Sequence, residues 1–256
     1  MSDSPLKVWL DRDGTLLRLR LARPKANIVD AAMIAALRQA LAEHRGIPEL
    51  RAALLDHEGP HFSFGASVDE HMPDQCADML KSLHALIRDM LDFPLPLLVA
   101  IKGQCLGGGL EVAAAGSMLF AAPDAKLGQP EIKLAVFAPA ASCLLPERIG
   151  QAKAEDLLFS GRSMAAEEAL ATGLIDNLSD DPETAALAYF DKALAPSSAS
   201  TLRFAVRAAR EEYRQRVTAK LERVETLYLA ELMQTHDAVE GLTAFVEKRP
   251  AQWKNC

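Results

Sequence analysis

One apolar stretch, residues 101–140, limits most strongly what this chain can fold into, because it sets three consecutive glycines and two glutamates between strand-like and helix-like segments. Residues 97–101 read as a short buried strand, released by the Pro94-Leu95-Pro96 break, and they lead into Gly107-Gly108-Gly109 and an Ala-rich helix. Strand, glycine turn and helix in that order predict α/β organisation. Glu111 stands between Leu110 and Val112-Ala113-Ala114-Ala115, and Glu131 between Gly128-Gln129-Pro130 and Ile132, so both carboxyls are expected to leave water on folding. Burial disfavours a charged carboxylate and raises its pKa, which suits acid or base work near neutral pH. A glycine-rich turn that opens a helix also presents unpaired N–H groups at the positive end of the helix dipole, where a developing oxyanion can be held. Residue type alone fits two readings: enolate chemistry on a carbonyl substrate, or a close-packing turn beside charges on half-buried helices.

Half of the 256 residues are hydrophobic, enough for a substantial core. A net charge of −7 argues against general binding to nucleic acid or anionic membranes. Any phosphate-bearing ligand must then be met by a local basic cluster. Cys76, Cys105, Cys143 and Cys256 lack metal-ligand spacing, and two of them lie in apolar runs, so a reduced, cytoplasmic protein without a structural metal is expected. The sequence contains no secretion-signal pattern and no apolar run of about 18 residues, so no membrane association is expected.

Alternation in residues 6–10 and 15–21 around Asp11-Arg12-Asp13-Gly14 predicts a β-hairpin. Helices are expected over residues 30–44, 75–91, 147–159 and 165–172, with strands over 50–55 and 117–122. From Pro182 onward strand signals vanish and the last quarter reads as a helical extension. The hairpin turn also raises a rival enzyme class. Residues 8–16 resemble the DxDGT motif of haloacid-dehalogenase-type phosphatases, whose aspartates hold Mg²⁺ and attack phosphorus. That motif leads toward a helix and needs a later acidic pair, for which Asp180-Asp181 is available; Leu17, Leu19 and Leu21 read instead as a second hairpin arm.

With the glycines and both glutamates located, the chain is identified as a member of the crotonase superfamily, the enoyl-CoA hydratase/isomerase fold, over most of its length. Six ordered segments carry the resemblance. They are Arg23-Pro24-Lys25-Ala26-Asn27, Phe62-Ser63-Phe64-Gly65-Ala66-Ser67, residues 103–111, and Lys126-Leu127-Gly128-Gln129-Pro130-Glu131, followed by the glycine-punctuated residues 149–175 and by residues 240–249. The resemblance implies an α/β core of repeated ββα units wound as a spiral through residue 195. It also implies a helical oligomerisation region over 196–256 and a homo-oligomer, a trimer or dimer of trimers.

The resemblance further implies that the N–H groups of Ala66 and Gly108 form an oxyanion hole for a thioester carbonyl. Glu111 and Glu131, matching the family's catalytic pair, would hold one water between them. Glu111 is assigned as the base that directs the water at an unsaturated carbon, and Glu131 as the acid that delivers a proton to the enolate. Arg23, Lys25, Ala26, Asn27 and Lys248 match CoA-lining positions. No metal or other cofactor is implied, since CoA arrives as part of the substrate.

Where many family hydratases carry a glycine-rich turn after the second glutamate, residues 135–143 here are apolar. Ser67 replaces a frequent aspartate, and Phe64 adds an aromatic ring beside an oxyanion donor. A pocket walled by Phe64, Val136 and Phe137, with Ser67 at its edge, suits a compact alicyclic acyl group, with water adding to a conjugated diene. A general 2-enoyl-CoA hydratase, an isomerase working with one glutamate, and the Mg²⁺-dependent phosphatase are the alternatives.

Overall fold

The computed structural model describes residues 4–256. Strands β1 (Leu6–Asp11) and β2 (Leu16–Leu21) form the expected antiparallel hairpin, with Leu6 opposite Leu21 and Asp11 opposite Leu16. The Asp11 carboxylate accepts from the Arg12 N–H at 2.7 Å and from Arg18 Nη1 at 3.1 Å. The turn returns the chain to a strand and arginine occupies Asp11, so the phosphatase-like segment is a hairpin turn.

Next come α1 (Ala31–His44), β3 (Ala52–His57), α2 (Cys76–Leu91), β4 (Leu97–Ile101), β5 (Gln104–Leu106) and α3 (Gly108–Ala114). They are followed by β6 (Met118–Ala121), β7 (Lys126–Gly128), α4 (Pro139–Ile149), α5 (Gln151–Ser160), β8 (Ser163–Ala165) and α6 (Ala166–Thr172). The chain ends with β9 (Asn177–Leu178), α7 (Pro182–Tyr189), α8 (Ala199–Ala230) and α9 (His236–Val246). The large sheet runs β1-β2-β3-β4-β6-β9, and every pair after the hairpin is parallel.

A second layer repeats the same order. Val29 bridges to Ala66, Ser63 to Cys105, and β5 pairs with β7, all parallel. Each turn of chain thus contributes one strand to the large sheet, one short segment to the small layer, and a helix. Strands β3 and β4 are buried on both faces, as parallel strands commonly are. Ala53, Leu55 and Val99 join the main core, while Ala52, Leu54, Leu98 and Ala100 meet Phe120 and, from the α7 region, Ala186, Phe190 and Leu194.

Three expectations need correction. Strand β3 continues through Asp56, which a sequence reading places in a turn because it is charged. Asp56 is 2% exposed and accepts from Arg18 Nη2 and Arg20 Nε, both at 2.6 Å, so the sheet neutralises it. The single helix expected over 147–159 is two helices broken at Gly150, whose φ is 75°. Helix α4 starts earlier, at Pro139, where extended Ala138 and a proline in the first turn suit a helix start. Strands β5, β7 and β8, three residues each, are too short to leave a periodic signal. No helix among the described residues is long and apolar enough to cross a membrane.

Candidate active site

Hydrogen bonds between successive spiral turns stitch distant segments together. Phe64 N–H donates to the Ala26 carbonyl at 2.9 Å, Ser63 N–H to Gln104 at 3.0 Å, and Leu106 N–H to Ser63 at 3.0 Å. Gly107 N–H donates to the Gly128 carbonyl at 2.9 Å. Ala66, Gly108, Glu111 and Glu131 consequently line one cleft.

Glycine is needed where these backbones meet. Gly107, with φ 51° and ψ −129°, precedes α3, and a Cβ there would lie 2.6 Å from Glu131 Oε1. On Gly108 a Cβ would lie 3.0 Å from Ala66 Cβ and 3.1 Å from Ala66 N. The two bare backbones therefore bring the Ala66 and Gly108 amides close together. Among the described residues neither N–H donates to a protein acceptor. Gly65 turns the chain at φ 110°, and Ser63 Oγ fixes it by accepting from the Gly65 N–H at 3.0 Å while donating to the Asn27 carbonyl at 2.8 Å.

The carboxyls sit on different supports. Glu111, in the first turn of α3, is 3% exposed, and its Oε1 accepts from the Ala141 N–H of α4 at 2.8 Å. Glu131 is half-buried on a 3-10 turn, Pro130–Leu134. Burial raises both pKa values, Glu111 to about 7 and Glu131 to about 8. The Ala141 and Ala140 amides favour the charged form of Glu111, whereas the Glu111 charge disfavours that of Glu131. Glu111 is thus the more readily ionised of the two, so the pair offers one charged and one protonated carboxyl in one cleft.

This burial has a consequence for stability. The unfolded chain ionises these carboxyls in the ordinary range, so the folded state binds more protons above it, and stability is lost as pH rises through about 7 and 8. The melting temperature of the wild type should fall more steeply from about pH 6 to about pH 9 than that of the Glu111→Gln/Glu131→Gln double variant. Parallel curves would contradict a buried, proton-holding pair.

The other expected site residues divide. Phe64, 43% exposed, borders the cleft with buried Val136 and half-buried Phe137. Ser67 is not among the residues that line it; its carbonyl accepts from cleft-lining His71 Nδ1 at 2.7 Å. Ala26 and Asn27 serve the scaffold. Asn27 is buried, its Nδ2 donating to the Glu58 and His61 carbonyls at 3.0 Å and its Oδ1 accepting from the Arg23 N–H at 3.0 Å. Its amide therefore faces inward, away from any ligand. The Arg23 guanidinium is paired with Asp30 at 2.6 Å. Lys25 and Lys248 are exposed on left-handed backbone, at φ 89° and 55°.

Sequence reasoning missed three contributors. His71 lines the cleft, and since the Ser67 carbonyl can only accept, its proton is on Nδ1 and Nε2 is an acceptor; burial keeps it neutral. Buried Gln129, turned with its NH₂ toward Glu131, donates to both carboxyl oxygens at 3.0 Å. Gly241 lets α9 rest on the Glu131 turn, for a Cβ there would lie 2.2 Å from the Leu134 carbonyl oxygen. A lone glycine inside an apolar helix was the signal for that contact.

The family model for enoyl-CoA hydratase/isomerase matches residues 11–256. The chain belongs to this family. A cyclohexa-1,5-dienecarbonyl-CoA hydratase of Thauera aromatica is 73% identical, with 99% of this chain and 98% of that protein aligned. A second family relative, carnitinyl-CoA dehydratase of Salmonella typhi, is 31% identical over 99% of both. An enoyl-CoA hydratase/isomerase structure from Pseudoalteromonas atlantica T6c superposes with a TM-score of 0.83 at 27% identity, covering 97% of this chain and 99% of that one. An enoyl-CoA hydratase from Mycobacterium avium shares the fold with a TM-score of 0.87 at 24% identity, covering 98% and 100%. The two-layered spiral is thus the family's crotonase fold.

Proposed function

We propose that this protein is an acyl-CoA hydratase that adds water to cyclohexa-1,5-diene-1-carbonyl-CoA and yields 6-hydroxycyclohex-1-ene-1-carbonyl-CoA. The observation that carries the reaction type is the pair of buried carboxyls, one ionising before the other, beside the free amides of Ala66 and Gly108. The 73% identity to a cyclohexa-1,5-dienecarbonyl-CoA hydratase supports the acyl group.

In this reading the thioester oxygen accepts from Ala66 and Gly108. Glu111 takes a proton from water as the water oxygen bonds to the ring carbon β to the thioester, and the displaced electron pair moves onto the thioester oxygen. The resulting anion spreads over the oxygen, the α-carbon and the far end of the remaining double bond. Protonation by Glu131 at that far γ-carbon restores a double bond conjugated to the thioester, as the named product requires. Hydration is redox-neutral, so the two acids and two donors suffice and no cofactor is called for. The apolar wall at Val136 and Phe137 favours a ring over the linear chain of a general 2-enoyl-CoA hydratase.

Arg23, Lys25, Ala26 and Lys248 are proposed to border the CoA moiety, while buried Asn27 holds that loop in shape from the inside. The same reading treats residues 196–256 as an oligomerisation region on a core that ends at residue 195. Phe204 on α8, Phe245 on α9 and Trp253 are 67%, 54% and 47% exposed, suiting burial against other subunits of a trimer or dimer of trimers.

The deciding experiment offers the purified protein the cyclic dienoyl-CoA and crotonyl-CoA separately and follows each by mass spectrometry. Gain of one water by the cyclic thioester is expected, with slower or no gain by crotonyl-CoA. Hydration of crotonyl-CoA alone would remove the cyclic assignment and leave a general hydratase.

A further inference from the structure

Among the described residues that line the cleft, only Glu111, Glu131 and His71 carry a polar side chain. His71 closes the 3-10 turn Asp69–His71, which is tied to the start of α1 by the Glu70 carboxylate, the acceptor of the Ala31 N–H at 3.2 Å. Its own N–H donates to the Val68 carbonyl at 3.0 Å. The imidazole is fixed as well, since Nδ1 donates to the Ser67 carbonyl at 2.7 Å and Ser67 is outside the cleft lining. The two ring nitrogens point away from each other, so the part of the ring that the cleft meets carries Nε2. That nitrogen takes no hydrogen bond from the described residues and, unlike Nε2 of His84, is not shut into the core. With the proton on Nδ1 and the ring kept neutral by burial, Nε2 can only accept.

Hydration calls for one such acceptor. Water brings two hydrogens into the cleft: Glu111 takes one, and the other stays on the oxygen and becomes the hydroxyl hydrogen of the product. The Ala66 and Gly108 amides can only donate, Glu111 Oε1 already accepts from the Ala141 N–H, and both Glu131 oxygens already accept from Gln129. We infer that His71 is a binding residue of the acyl group, whose Nε2 accepts the hydrogen that stays on the oxygen and so selects a ligand with a hydroxyl on its β-carbon. The inference rests on the hydratase reading above and adds to it a third polar side chain, one that recognises the added oxygen without taking a proton from it.

The test uses His71→Phe and His71→Met, two side chains of similar reach that remove the acceptor and pack differently. Calorimetry would measure binding of 2-hydroxycyclohexane-1-carbonyl-CoA, with its hydroxyl on the β-carbon, and of cyclohexane-1-carbonyl-CoA. All proteins would carry Glu111→Gln, so that the hydroxyl is not eliminated during the measurement. Relative to the parent with His71, each variant should bind the hydroxylated thioester about tenfold more weakly, as expected for one hydrogen bond, with the unsubstituted thioester changed less than about twofold. Loss of the Nδ1 bond to Ser67 should lower the melting temperature, but it acts on both ligands alike and cancels in the ratio of their affinities. A ratio that stays at the parent value in either variant overturns the inference. Equal weakening would put Nε2 on a part that the two thioesters share, and no change in either would leave it to solvent. The readout is binding, so a failed mass-gain experiment with intact discrimination between these two ligands would reject the cyclic substrate and not His71.

Discussion

Glu111→Gln and Glu131→Gln should each lower the rate of hydration by about 10²- to 10⁴-fold, the usual contribution of a positioned acid or base. Neither should much weaken binding of the CoA thioester. Glutamine keeps the volume of glutamate, and at position 111 its carbonyl oxygen can still accept from the Ala141 N–H, so the α3–α4 contact survives. What is lost is proton transfer. Because the Ala141 and Ala140 amides favour the ionised form of Glu111 and the Glu111 charge opposes that of Glu131, the two variants should also differ in pH dependence. Wild-type kcat/KM should be bell-shaped. Glu111→Gln removes the base, so residual activity should lose the acidic limb; Glu131→Gln removes the acid, so it should lose the alkaline limb. Full activity in either variant would end the two-acid mechanism, and the opposite loss of limbs would exchange the two roles.

Sequence made these two residues legible because charge is rare in apolar company. Glu111 among alanines and Glu131 beside Ile132 stood out before any contact was known, and the structure places both at one cleft. The hairpin was legible for a similar reason, since alternation in residues 6–10 and 15–21 matches a strand period; the paired strands then removed the phosphatase-like alternative that the sequence left open. What the chain did not announce depends on how the spiral stacks. Val29, Ser63 and Ala66 belong to the second layer through single bridges, too short to leave a pattern, yet those bridges set the height of Ala66 beside Gly108. His71 and Gln129 look like ordinary polar residues until burial places one in the cleft and the other against Glu131. Asn27 errs the other way: its place in a ligand-lining motif hides a side chain spent on the Glu58 and His61 carbonyls. Asp56 is a charge that a local reading sends to the surface and that Arg18 and Arg20 hold inside.

Gly107→Ala should nearly abolish activity while costing only modest stability. Two independent constraints meet at that position. With φ 51° and ψ −129° the backbone occupies a region that is open to glycine and strained for alanine, by about 1–3 kcal/mol. An added Cβ would also stand 2.6 Å from Glu131 Oε1, so it must displace the carboxyl or move itself. Either relief damages the site. Rotating the peptide between residues 107 and 108 turns the Gly108 N–H out of the proposed oxyanion hole, and loss of one such donor costs about 10²- to 10³-fold in kcat. Moving the Glu131 side chain separates the acid from the base it faces. The control is Gly150→Ala between α4 and α5, where φ is 75° and an added Cβ would meet nothing within 4 Å. That variant bears comparable backbone strain far from the carboxyls, so it should lose melting temperature and keep its turnover. If Gly107→Ala lost stability alone, or if Gly150→Ala lost activity to the same degree, the geometry at Gly107 would not be what holds the donor and the acid in place.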